Sequence, residues 1–147
     1  MKITSIQYSD LVKRYSPNSH ILTDTLSAFV IGGLICALGH LVSNGWQLLG
    51  LSEDLSGTAT AITMVFLGAL LTGLGVYDRI AKVAGAGTIV PITGFANSVV
   101  SPAMEFRSEG LVLGLGAKMF AIAGPVLVYG VGASAIYGVL YCVSRFL

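Results

Sequence analysis

The stretch Gly85-Ala-Gly-Thr-Ile-Val-Pro-Ile-Thr-Gly-Phe-Ala-Asn-Ser-Val-Val-Ser101 decides how the chain is read. It carries no charge, so it can enter a bilayer. It is also a poor helix, because a glycine costs about 1 kcal/mol and a proline about 3 kcal/mol relative to alanine. Gly85, Gly87, Pro91 and Gly94 all fall within it. Bare N–H and C=O groups in lipid cost several kcal/mol each, so apolar but broken backbone is shielded by protein or lines a wet cavity.

The rest of the chain supports a membrane reading. Of its 147 residues, 54% are hydrophobic and 10% charged, against about 25% charged in a soluble domain. The length is that of one domain. A formal net charge of +1 gives a nucleic-acid partner no electrostatic support. No hydrolase triad, metal cluster or phosphate loop is present. Gly85-Ala-Gly87 lacks the third glycine and the preceding strand of a dinucleotide fingerprint. The expectation is a protein that is not an enzyme and needs no cofactor or metal. Cys36 and Cys142 lie in apolar runs and read as small hydrophobes rather than a disulfide or metal ligands.

Charges punctuate the chain. Residues 1–21 form a polar, cytoplasmic or interfacial segment. Within it Gln7 to Tyr15 fits a short surface helix ended by Pro17, or a solvated tail. These residues lack the apolar core and cleavage site of a signal peptide, so the first apolar run anchors the chain. That run gives helix 1 over 22–43, long enough to span, with Gly33 and Ala37 as a small-residue pair. His40 and Trp46 suit the interface. Residues 45–58, with Glu53 and Asp54, read as a loop. Helix 2 covers 59–77, with Ala69 and Gly73 at small-residue spacing, and ends at Tyr77-Asp78-Arg79 with Lys82 close behind.

The broken segment then runs over 83–104. Ser101-Pro102 suits a helix start inside it, with proline at the first helical position; a start at Asn97 or Ser98 also fits. A long helix over 110–143 follows, kinked at Gly124-Pro125. It holds Lys118 about two turns in, which snorkels, faces a wet cavity or sits in a turn before the true span. It also carries a small ridge at Gly130, Ser134 and Gly138. The expected fold is an all-α integral membrane protein of one domain. It has about four membrane-embedded segments, the third discontinuous and Gly/Pro-broken.

Lys2, Lys13 and Arg14 precede helix 1, and the first loop holds no Lys or Arg. This bias puts the N-terminus in the cytoplasm. If 83–104 crosses, the C-terminus lies inside; if it dips in and returns, outside.

Transporters and channels use breaks at membrane depth to aim helix dipoles and backbone groups at a solute. The pathway or gate candidates are Gly85, Gly87, Thr88, Pro91, Thr93, Gly94, Asn97 and Ser98. The charged candidates for a neck are Asp78, Arg79, Lys82, Glu105, Arg107, Glu109 and Lys118. The alternative is that the glycines only permit tight helix packing.

Residues 85–98 resemble the signature of the bacterial SpoVA sporulation membrane proteins, the AC/AE-type membrane subunits. Gly75-Val-Tyr-Asp-Arg-Ile80, Glu105-Phe-Arg-Ser-Glu-Gly-Leu-Val-Leu-Gly114 and Gly32-Gly-Leu-Ile-Cys36 extend the resemblance over nearly the whole chain. It is least close at residues 1–20. The resemblance implies a channel-like, mechanosensitive subunit in the inner membrane of the forespore and spore. It implies dipicolinic acid, as its Ca²⁺ chelate, as the solute, moved in during sporulation and out on germination. The partners it implies are the AE-type membrane subunit and the soluble AD subunit. One chain of four short segments is too thin to enclose a pore, so an oligomer is expected. A non-conducting assembly subunit and a proton-coupled small-anion transporter using Glu105, Glu109 or His40 are the alternatives.

Overall fold

The structure is a computed structural model and describes Tyr8, Val12 and residues 20–146. Apart from Tyr8 and Val12, both helical and exposed, the surface helix expected over residues 7–15 lies outside the described residues. Every regular element among the described residues is helical. Among the described residues three helical stretches are long and apolar enough to cross a membrane: Ile21–Leu48, Glu53–Gly73 and Leu111–Arg145.

Helix α1 is Ile21–Leu48. Thr23 Oγ1 donates to His20 O at 2.9 Å, and Asp24 in the first turn suits the positive end of the helix dipole. Helix α2 is Glu53–Gly73. The connection between them is therefore short, and residues 45–58 are not a loop. Trp46 lies inside α1, while Glu53 and Asp54 form the first turn of α2, where acidic groups meet unpaired backbone N–H groups. The two helices run antiparallel, since Ser43 meets Ser56 and Gly39 faces Met64.

The polypeptide after α2 is broken into three pieces: α3, Tyr77–Ala84; α4, the single turn Ala86–Ile89; and α5, Ile92–Glu105. Tyr77 thus begins α3 instead of ending α2. The first break is Gly85, whose φ of +49° is open to glycine and rarely to other residues. The second is Pro91, the extended residue before α5. Pro102 lies inside α5 rather than at its start. The helix had already begun ten residues earlier, where Pro91 supplies the extended conformation that precedes a first turn.

Helix α5 lies along α2, and the two run parallel. Gly68 faces Thr93 and Thr72 bonds Asn97, so both numbers rise by four together. A 3₁₀ turn at Arg107–Glu109 and a π-helical stretch at Leu111–Gly116 then lead into α6, Ala117–Phe146. The π-helical stretch and α6 together replace the single kinked helix expected over 110–143, and α6 continues through Pro125. Lys118 sits over Phe106 and Ile122 shares a groove with Ser98, so α6 runs antiparallel to α5.

The interior is small and partly polar. Met64, Tyr77, Ala84, Ala96 and Ala123 are buried together with Ser56, Thr72, Thr88 and Thr93. Large apolar side chains such as Phe29, Leu34, Phe66 and Tyr137 are exposed. Lipid tails are as apolar as leucine, so helices in a bilayer associate through close packing and hydrogen bonds rather than by burying bulk. Among the described residues no buried side-chain nitrogen or oxygen lacks a hydrogen-bond partner.

The close approaches come from glycines. A Cβ on Gly68 would stand 2.9 Å from Thr93 Cα, and one on Gly87 would stand 2.9 Å from Ala28 Cα. A Cβ on Gly94 would stand 2.7 Å from Ile89 O. Gly32 meets Gly87 from the other side. The small-residue pairs expected at Gly33–Ala37 and Ala69–Gly73 are offset by one residue from the faces used, which pass through Gly32 and Gly68. Among the described residues Gly33, Gly73, Gly130 and Gly138 have no such neighbour within 4 Å.

Candidate functional site

The site is a groove of about 360 Å³ between α3 and α5, closed on a third side by α4 and Ile122 of α6. Its polar wall is a stripe on α5. Asn97, Ser101 and Glu105 follow one another at intervals of four, and Gly94 and Ser98 run beside them, the spacing that puts residues on one helix face. Glu105 is exposed and carries the charge nearest one end of the stripe. Gly94 lies eleven residues away, roughly 16 Å at 1.5 Å per residue.

The deep wall is knitted by hydrogen bonds. Tyr77, 3% exposed, donates its phenol proton to Thr88 O at 2.8 Å. The Tyr77 phenol oxygen also lies 2.9 Å from Thr93 Oγ1. A phenol has one proton, so with that proton on the carbonyl the threonine hydroxyl is the donor. Thr88 Oγ1 donates to Gly85 O at 2.9 Å, across the first break. On the far side of α5, Thr72 Oγ1 lies 2.9 Å from Asn97 Oδ1 and 2.7 Å from Gly68 O. Ser98 Oγ donates to Phe95 O at 2.7 Å.

The pathway candidates thus divide by place. Thr88, Gly94, Asn97 and Ser98 line the groove. Thr93 is buried behind it, against Gly68 and Tyr77. Gly87 is buried against α1, and Pro91 caps α5. Gly85 lines a second hollow, of about 460 Å³, with Asp24, Ala28 and Lys82.

The charged candidates lie at several places. Glu105 borders the groove, and Lys82 faces the hollow beside Asp24. Arg107 lines a third hollow with Val100, Leu115 and Met119. Asp78 and Arg79 are exposed at the start of α3. Glu109 stands against Gly114. Lys118 places its Nζ 4.6 Å from the centroid of the Phe106 ring, a cation–π contact that ties α6 to the end of α5.

Sequence reasoning missed Tyr77, Thr72 and Ser56 as interior groups. Ser56, fully buried, donates to Ser43 O at 2.8 Å. Trp46 Nε1 donates to Thr63 Oγ1 at 3.2 Å, so the indole points at α2. The available signal was hydroxyl residues inside uncharged helices, which need a partner in lipid. Cys36 and Cys142 are free and exposed. Among the described residues no three His, Cys, Asp or Glu side chains are placed to hold a metal ion.

No solved structure matches the chain. Stage V sporulation protein AC of Bacillus subtilis (strain 168) is 47% identical over 134 residues, which cover 90% of this chain and 89% of that relative. Residues 24–140 match the family described as SpoVAC/SpoVAEB sporulation membrane protein. That match spans the groove, the hydrogen bonds behind it and most of each long helix. The chain belongs to the SpoVAC/SpoVAEB sporulation membrane protein family.

Proposed function

We propose that the chain is a channel-like subunit of a SpoVA assembly, passing dipicolinic acid as its Ca²⁺ chelate across the inner membrane of the forespore and spore. The observation that carries this reading is the polar stripe Asn97–Ser101–Glu105 along a groove beside broken backbone. A strongly hydrated solute of this kind, free dianion or Ca²⁺ chelate, cannot cross lipid and needs such a wall.

In this reading the third segment is re-entrant. The N-terminus is cytoplasmic, α3 and α4 enter from the cytoplasmic face, and α5 returns to it. The parallel run of α2 and α5 supports that path, because both then end on one side. Helix α5, at 14 residues, spans roughly 21 Å, short of a hydrocarbon core of about 30 Å. The half-helix start at Ile92 then lies at depth, where backbone N–H groups suit carboxylates. Several copies, or this chain with the AE-type membrane subunit and soluble AD, enclose the path, and membrane tension gates it. Replacing Gly94 and Asn97 singly and measuring dipicolinate uptake in sporulating cells tests the reading. Uptake falls in both if it holds; normal uptake at normal protein levels in both sinks it.

A second reading, a non-conducting assembly subunit, is favoured by a specific observation. Gly87 and Gly94 both sit against backbone, so packing alone accounts for those two glycines. Purified chain in liposomes under tension tests this second reading, since currents from the chain unaided overturn it.

A further inference from the structure

We infer that α3 is a hinged flap over the groove and that the Tyr77 hydroxyl is its latch. The inference rests on the reading of this groove as a solute path. Helix α3 has eight residues, Tyr77–Ala84. It is bounded by Gly75 with φ +68° and Gly85 with φ +49°, and a Cβ on either would meet nothing within 4 Å. Two residues with unusual backbone freedom and open space where a side chain would stand make hinges.

Between these hinges the flap is two-sided. Tyr77 and Ala84 face inward, while Asp78, Arg79 and Lys82 are exposed. Tyr77 and Ala81 form the α3 wall of the groove. The opposite wall does not share this freedom. Helix α5 is held to α2 by the Gly68–Thr93 approach and by Thr72–Asn97, and α4 is held to α1 at Gly87–Ala28.

The outer flank of the flap packs on α1; on the groove side, the side-chain hydrogen bonds that fasten it to this fixed wall come from one buried hydroxyl. It bonds Thr88 on α4 and Thr93 on α5 at once. With both bonds gone, α3 swings about its two glycines, and Asn97, Ser98 and Ser101 become accessible from its side. Tyr77 is a positioning residue in this scheme, and the groove side chains are the ones that meet the solute.

The test uses the full chain in nanodiscs, open to reagent on both faces, with Cys36 and Cys142 replaced by serine. A single cysteine is introduced by Ser101→Cys, and its rate of reaction with a charged maleimide is measured with Tyr77 and with Tyr77→Phe. The phenyl ring keeps the packing and loses both bonds, so labelling is expected to quicken on the order of tenfold. Equal rates overturn the latch. If Tyr77→Phe does not accumulate, Thr93→Val removes one of the two bonds and gives a smaller acceleration of about threefold; equal rates there overturn it too. Labelling needs no conduction, so the path is judged separately. Faster labelling with no dipicolinate release from vesicles that hold either protein together with the AE-type and AD subunits keeps the latch and overturns the path.

Discussion

Gly68 and Thr93 lie so close that a methyl group at position 68 would stand 2.9 Å from both the α-carbon and the carbonyl oxygen of Thr93. That approach is what lets α5, a helix too short to cross alone, lie flat against α2. Gly68→Ala should destabilise the protein by about 1–3 kcal/mol through overpacking. Gly73→Ala, where nothing stands within 4 Å, should be neutral or stabilising, since alanine is the better helix former by about 1 kcal/mol. Thermal unfolding of both variants in detergent checks the pair; equal melting temperatures would refute the assignment of the interface to Gly68.

The Trp46–Thr63 hydrogen bond joins α1 to α2 one side chain to another. A double-mutant cycle with Trp46→Phe and Thr63→Val should give a coupling of about 0.6 kcal/mol, the usual size for such bonds between membrane helices. Additive effects on unfolding would show that the indole takes its stability from the interface alone.

Lys118 over Phe106 predicts an asymmetric result. Lys118→Met keeps the stem and loses the charge, and should cost about 0.5–2 kcal/mol of stability depending on how dry the contact is. Lys118→Arg keeps a cation over the ring and should cost less. Denaturant titration of the two variants reads the difference, and equal losses would mean that the charge contributes nothing there.

The re-entrant path makes a topological prediction. Ser52→Cys, between α1 and α2, should react from the outer face, and Ser108→Cys, between α5 and α6, from the cytoplasmic face. Reaction of both from the same face in intact cells would show that residues 77–105 cross the membrane.

How far the residues announced this arrangement can be judged helix by helix. The three long spans were legible because charge, Lys118 excepted, is confined to their ends, as lipid requires. Their ends were less so. Glu53 and Asp54 look like loop residues, yet a first helical turn also accepts acids, and nothing local separates the two cases. The break at Gly85 was legible, because no other residue type is so permissive. Its neighbours Gly87 and Gly94 were legible only as anomalies. Their cause is backbone on other elements, Ala28, Thr88 and Ile89, which no local pattern encodes. Tyr77 beside Asp78 and Arg79 has the signature of an interfacial residue, and a tyrosine that turns inward has the same neighbours. The groove drew on Asn97, Ser98 and Glu105 as anticipated candidates, but its α3 wall depends on a chain reversal that spacing does not specify.

The helical stretch Leu111–Arg145 is 35 residues long. Nearly all of it after Ala123 is exposed, because α5 ends its support at Ile92. At 1.5 Å per residue the stretch measures roughly 52 Å, while the hydrocarbon layer is about 30 Å thick. So large a mismatch must be absorbed by tilt, by bending or by projection beyond the bilayer. Under the proposed channel reading, stretching thins the membrane and, where tilt absorbs the mismatch, the angle of this helix follows bilayer thickness. Ile122, on the same helix, is a wall of the groove, so the groove shares an element with the part of the chain most open to lipid.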